Sequence, residues 1–569
     1  MTRMILALLL LSLLSQTTHA GELVVYTASK IITMEPALPV ATAVAVEDGV
    51  IVAVGSAEDL EPLRRQRGGR LDHSLGGKVL MPGFIDPHVH PSLPAVLTQL
   101  PFLAPDDWTL PTGSFPGATT ADTFRASLTK LVALHQNPDV PFIAWGYHPL
   151  WHGEIFREEL NAWFGDVPVM LWHRSFHELI GNDAAFALLG ITAEDVQGQP
   201  EVDWARGHFW ENGLKFLLPS LSFLFAPERY AEGMANFLEM MHQAGITTAL
   251  DMGTGIFGNP QQEIAMIRQA AEKLEAPGRI ILTPIITDFL ARGKTPEQAL
   301  AEIESWQAAS SPRVSVGKHF KIMMDGAIFS GLAQMGPPGY LDGHEGIWMA
   351  PLETSTEWAR FFWQQGYQIH AHTNGDKSAA ALIDMVATLQ REHPRADHRT
   401  ALEHFAYSTE DQSRQMAALG MVVSANPYYH YLLADIYAER WLGPDRGAQM
   451  VRLGSLERIG LPFAFHSDCP MAPLSPLTLV SAAVNRVTIN GKLRAPAERI
   501  SLHAALRAIT IDAAWIMGEE DQIGSIRAGK RADFAVLEQD PYKVEPERLK
   551  DIAVWGTVFA GELHPARAR

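Results

Sequence analysis

Between residues 84 and 468 the chain alternates short apolar runs with helix-length segments, and several runs end on a histidine or an aspartate while one holds a lysine. No other feature constrains the fold as much. The runs fall at 84–88, 246–251, 280–286, 320–324, 367–372, 400–404, 421–425 and 463–468. Stretches such as 261–274, 296–308, 377–391 and 409–419 carry helical periodicity between them. Eight such units predict an α/β fold, a TIM-type (β/α)8 barrel whose chemistry sits at the carboxyl ends of its strands.

A chain of 569 residues exceeds what one core usually fills. Strand-like runs at 23–28, 41–54 and 78–81 precede the barrel, with a hairpin signal at Asp48-Gly49. The same texture returns at 532–538 and 551–559. The economical arrangement is a small β-sandwich domain built from both chain ends, 21–80 and 516–569, flanking a barrel at 81–515. The long gap at about 91–245 reads as an insertion after the first barrel strand, with strands at 142–147 and 167–172. It holds Trp145, Tyr147, Trp151, Trp163, Trp172, Trp204, Phe209 and Trp210. If it packs over the barrel mouth, these aromatics either wall a substrate pocket or fill an ordinary core.

Arg3, the apolar run 5–14 and Ala20 predict a secretory signal over 1–20, too short to span a membrane. The mature product is therefore expected to be exported, to the periplasm, without a stable membrane anchor. A net charge of -19 argues against nucleic acid or an anionic bilayer as partner. A small-molecule substrate and a homodimer are the expected partners. Cys469 is the one cysteine, so no intrachain disulfide forms. It reads as a packed thiol, with a covalent nucleophile as the alternative.

In Pro82-Gly83-Phe84-Ile85-Asp86-Pro87-His88-Val89-His90, two histidines at i and i+2 share one side of an extended strand and can reach one cation. His372, His404 and Asp468 each close a later apolar run. Lys321 sits inside an apolar strand, where a charge is costly. It either pairs with a carboxylate such as Asp325 or loses its proton, becoming an amine that CO2 can convert to an anionic carbamate.

The ordered set resembles the amidohydrolase superfamily, and within it the YtcJ-like metal-dependent hydrolases of amidohydrolase family 3, which include N-substituted formamide deformylases. The resemblance spans nearly the whole mature chain. It rests on 82–90, Gly245-Ile246-Thr247-Thr248, Lys321 with Asp325-Gly326, His372 with Gly375-Asp376, Glu403-His404, Ser467-Asp468 with Pro470, and 523–533. It implies two divalent cations, with zinc expected and a single metal as the alternative. His88, His90 and Asp468 would hold one, and His372 and His404 the other. Carboxylated Lys321 would bridge them, and Asp468 would carry a proton from water to the leaving group. His177, near Asn182, resembles a segment that approaches substrate in the family, and is the expected contact to the carbonyl oxygen. Glu403, Asp376 and Asp86 are candidates to orient the metal-bound histidines, and Tyr428, Tyr429 and His430 to line the pocket. Asn374 and His466 depart from the family pattern.

The expected reaction is hydrolysis of a non-peptide C–N bond, an amide, N-formyl group or cyclic amide, in a small and plausibly aromatic substrate. A lactone or other ester hydrolase with the same centre, and a non-catalytic binding protein, are the alternatives.

Overall fold

A computed structural model describes residues 21–566; the expected signal segment lies outside the described residues. Eight parallel strands run along Phe84–Val89, Ile246–Thr254, Arg279–Pro284, His319–Met323, Gln368–Thr373, Ala401–His404, Val422–Ala425 and Phe463–Phe465. The first three pair in order and carry a short edge strand, Val314–Val316; the last five also pair in order. A parallel bridge between Ile285 and Lys321 links the two arcs on one side. On the other, the Asp468 N–H donates to the His88 carbonyl at 3.0 Å. Every residue of the eight strands is buried, as expected of strands covered on both faces. The last strand stops at Phe465, short of the expected 468, because Asp468 turns into the left-handed region at φ 54°.

The two chain ends share one eight-stranded mixed sheet, with 79–82 pairing to 534–537. The expected β-sandwich is instead this single sheet rolled back on itself. Ile51 N–H donates to the Lys530 carbonyl and Ala532 N–H to the Gly49 carbonyl, both at 2.8 Å. One face encloses a core that includes Tyr26, Ile31, Val44, Phe534 and Val558. The other packs Val25 and Ala43 under Leu60 of helix Ala57–Arg67. Ser56 and Asp59 close that helix with a reciprocal capping box. Among the described residues no helix is long and apolar enough to cross a membrane.

The insertion has its own five-stranded sheet, ordered Val202–Asp203, His208–Trp210, Glu178–Gly181, Val169–His173 and Phe142–Tyr147. Its large rings are mostly core. Trp145, Trp172 and Phe209 are wholly buried among neighbouring apolar side chains, so they do not wall an open pocket. Arg174 ties the insertion to the turn that follows the last of the eight strands. Its guanidinium donates to Asp106 at 3.3 and 3.2 Å and to the carbonyls of Pro470 and Met471 at 3.1 and 3.0 Å. It lies over the rings of Trp108, Trp145 and Phe329. The Tyr428 hydroxyl completes the clamp with a 2.8 Å bond to Asp106.

Candidate metal centre

The parallel strands deliver the polar side chains. His88 and His90 project from the end of the first strand, and their Nε2 atoms lie 3.4 and 3.1 Å from Asp468 Oδ1. His372 Nδ1 and His404 Nε2 face each other at 2.8 Å. Two ligands held at about 2.1 Å by one tetrahedral ion stand roughly 3.4 Å apart, close to these spacings. His88 Nε2, His90 Nδ1 and Lys321 Nζ are buried with no hydrogen-bond partner among the described residues. A buried polar atom without a partner is costly, and a cation beside Asp468 would satisfy His88 Nε2. Burial, with the Lys321 charge next, keeps His88 far below the usual imidazole range. Burial and then His372 do the same for His404, and burial brings His372 to about 3. Neutral imidazoles are what a cation requires.

Burial works against the charge of Asp468, but His88 and His90 outweigh it and hold this carboxyl far below its ordinary value. Its two oxygens differ: Oδ1 faces the first histidine pair, while Oδ2 accepts from the Tyr429 hydroxyl at 3.1 Å. Lys321 is brought down to about 8 chiefly by burial. The alternative pairing with Asp325 is not made. Asp325 instead accepts from the backbone N–H groups of Gln334, Asn374 and Gly375, each at 2.9 Å, and from the Ser378 hydroxyl at 2.7 Å.

The supporting residues are partly those expected. Glu403 accepts from His88 Nδ1 at 2.8 Å and from His370 Nδ1 at 2.7 Å, and lies 3.4 Å from His466 Nδ1. It orients a histidine across the barrel rather than its neighbour His404. Asp86 accepts from the His88 and Ser467 N–H groups and from the Ser467 hydroxyl at 2.5 Å, tying the first strand to the turn that carries Asp468. Asp376 does not reach a histidine; its carboxylate accepts from the Gly336 N–H. Asn374 donates to His372 Nε2 at 2.9 Å, which leaves Nδ1 facing His404. His466 sits behind His404, with 3.3 Å between His466 Nε2 and His404 Nδ1.

Of the pocket candidates, Tyr429 reaches Asp468, whereas Tyr428 serves the Arg174 clamp. All three begin a helix, Tyr428–Arg440, and His430 is buried near Arg486 and Arg494. Asn182 caps helix Asp183–Leu189 and is structural. Burial, then the charges of Asp86 and Asp468, drives the Cys469 thiol well above its usual range, which disfavours the thiolate that a nucleophile needs. Asp251 was not singled out in the sequence, although it too ends an apolar run. It accepts from Thr254 Oγ1, lies within electrostatic reach of His90 and Lys321, and is pushed to about 6, mainly by burial. Beside it Gly253 has no room for a side chain: a Cβ would stand 2.6 Å from His90 Nδ1.

Residues 74–564 match the profile of the amidohydrolase family. The chain belongs to that family. It is 26% identical over 545 residues to an N-substituted formamide deformylase of Arthrobacter pascens, covering 93% of this chain and 95% of the relative. It is 24% identical over 548 residues to a putative amidohydrolase, YtcJ, of Bacillus subtilis, covering 92% and 95%. A metal-dependent hydrolase of Pyrococcus horikoshii shares the fold, with a TM-score of 0.70 at 20% identity over 92% of this chain and 99% of that one. As a YtcJ-like amidohydrolase the protein is a metal-dependent hydrolase of C–N bonds. The groups that could hold the metal, His88 with His90 and Asp468, and His88 with His404 and His466, cluster at one end of the eight strands.

Proposed function

We propose that the two arcs form one closed (β/α)8 barrel whose mouth holds two zinc ions, and that the enzyme hydrolyses a non-peptide C–N bond of a small amide, N-formyl amine or cyclic amide. His88, His90 and Asp468 would hold one ion and His372 and His404 the other, with carboxylated Lys321 between them. The observation that carries this reading is the convergence of His88 Nε2 and His90 Nε2 on Asp468 Oδ1, at 3.4 and 3.1 Å, with His88 Nε2 and the nearby Lys321 Nζ buried and without a hydrogen-bond partner among the described residues. When bound, the cations acidify a water and polarise the substrate carbonyl.

The residues do the rest. Lys321, wholly enclosed and lacking a carboxylate partner, is set to react as a free amine with CO2. Asp468 takes the proton of the attacking water on Oδ2, which Tyr429 positions, then returns the proton to the leaving nitrogen. Asp86 and Ser467 fix the turn from which Asp468 projects, and Glu403 fixes the ring of His88. His177 contacts the carbonyl oxygen of the substrate. The likeness to a formamide deformylase supports N-formyl amines as the first substrates to try. The signal-like segment supports action in the periplasm.

The test is elemental analysis of the mature protein prepared without chelator and supplied with zinc and bicarbonate. It is followed by assays on N-formyl amines, cyclic amides and lactones. Two ions per chain and turnover of an N-formyl or cyclic amide are expected. One ion would demote Lys321 to a plain amine, lactone turnover alone would move the enzyme to the ester class, and no ion in folded protein would end the reading.

A further inference from the structure

The insertion brings one pair of side chains to the barrel mouth that the metal centre does not use. Strands Glu178–Gly181 and His208–Trp210 pair antiparallel, with Glu178 opposite Trp210. His177 and Glu211 therefore stand opposite each other one step beyond the paired ends, and the Glu211 N–H donates to the His177 carbonyl at 2.9 Å. Their side chains meet as well: His177 Nδ1 donates to Glu211 Oε2 at 2.8 Å. The carboxylate is enclosed, at 3% side-chain exposure, whereas the imidazole is 28% exposed. Glu211 Oε1 is buried and has no hydrogen-bond partner among the described residues.

The backbone on both sides of the pair is unusual. Phe176, just before His177, has φ 70°, and Glu211 has φ 45°, left-handed values that a side chain disfavours. The metal centre shows the same signature, at His404 with φ 78° and Asp468 with φ 54°. Strained turns that the surrounding structure holds in place gather at sites where a side chain must be aimed. His177 is within electrostatic reach of Asp468 and of His372, which puts the pair in the neighbourhood of the centre.

We propose that Glu211 and His177 form a catalytic dyad supplied by the insertion, in which Glu211 positions the ring and His177 Nε2–H donates to the substrate carbonyl oxygen as it becomes an oxyanion. The proposal rests on the hydrolase reading above and adds to it a positioning residue and a reason for the insertion to cover the mouth. Glu211 bonds Nδ1, which leaves Nε2 as the one ring nitrogen free for substrate. No proton leaves the dyad; the doubly protonated ring offers a charge-assisted donor to a developing negative charge. The charged groups around the ring favour that state. Burial opposes it, but Glu211, then Glu178 and Asp468, outweigh burial, while His173 and His372 are the neighbouring imidazoles. The His177 pKa is accordingly raised, and the donor is lost as pH rises through it.

The test uses the full zinc-loaded protein in two measurements. In the first, side-chain nitrogen NMR of histidine-labelled protein, with His177 assigned through H177N, follows the ring against pH. The wild type should keep its Nδ1 proton throughout, and E211Q should titrate at lower pH. Identical His177 signals in the two proteins would overturn the dyad. In the second, kcat and KM are measured with the fastest N-formyl amine of the panel. H177N should lose on the order of a hundredfold in kcat. E211Q should lose on the order of tenfold, with its alkaline limb moved to lower pH and KM nearly unchanged. Adding E211Q to H177N should cost nothing more, and a full additive loss would overturn the proposal. Zinc content should stay at the wild-type value in all three. If the NMR coupling is present and no amide is turned over, the hydrolase reading fails while the pairing stands. If amides are hydrolysed and E211Q behaves as wild type, the dyad fails and the hydrolase reading stands.

Discussion

The end of the eight parallel strands and the Arg174 clamp of the insertion both bury ionisable groups, and they treat them in opposite ways. At the mouth, His88, His90 and Lys321 each hold a buried nitrogen with no protein partner. In the insertion, Arg174 is equally buried, yet it spends its donors on Asp106 and two backbone carbonyls and lies over three rings. Burying an unsatisfied polar group costs a few kcal/mol, and at the mouth a bound cation would recover that cost. A satisfied charge fixes one segment to another. The difference separates residues that await a ligand from residues that hold the scaffold, although their burial is the same.

The sharpest way to break this distinction is Arg174→Met. Removing one partner of a buried pair leaves Asp106 uncompensated, at a cost of about 3–5 kcal/mol. Thermal unfolding should show a large fall in midpoint, while elemental analysis of the protein that remains folded should find unchanged zinc. Loss of zinc at intact fold would mean that the carbonyls of Pro470 and Met471 transmit the clamp to Asp468, and that the insertion belongs to the metal centre.

Glu403→Gln probes the other side with a smaller effect. A glutamine retains the volume but replaces an anionic acceptor shared by His88 and His370. Burial opposes the charge of Glu403, and the neighbouring histidines overcome it, holding the carboxyl well below its usual range. The variant should bind zinc about 10–100-fold more weakly in competition with a chromogenic chelator. Its melting midpoint without metal should change little. Wild-type zinc affinity would show that Glu403 is structural and would erase the contrast with Arg174.

What was legible in the sequence follows from how local each signal is. His88 and His90 are two positions apart on one strand, and His372, His404 and Asp468 each close an apolar run, so strand periodicity alone placed them on one rim. Arg174 and Glu211 were not found, because their partners Asp106 and His177 lie 68 and 34 residues away and meet them only through tertiary packing and sheet register. The tryptophans stayed open between pocket and core for a related reason: a buried ring and a pocket ring look alike in a sequence, and packing put Trp145 and Trp172 inside. The small domain was legible as strands but not as a layer. Hydrophobic alternation says that a strand has a buried face, not whether a second sheet or the same sheet covers it. Lys321 stands between two fates in the sequence, and the structure removes one candidate partner, since four donors saturate Asp325.

The smallest expected effect tests whether the thiol next to Asp468 belongs with the awaiting residues or with the scaffold. Cys469 is wholly buried, and its N–H donates to the Ser467 hydroxyl, a backbone contact that an alanine would retain. With the sulfur proton held by burial and by two neighbouring carboxylates, the thiolate needed for attack is disfavoured. Cys469→Ala should therefore keep kcat/KM within about twofold and lose on the order of 1 kcal/mol of stability from the small void. Inactivation of a protein that still binds its zinc would mean that the sulfur reaches the substrate. That would place a third kind of buried group at the mouth, reactive although neither metal-seeking nor paired.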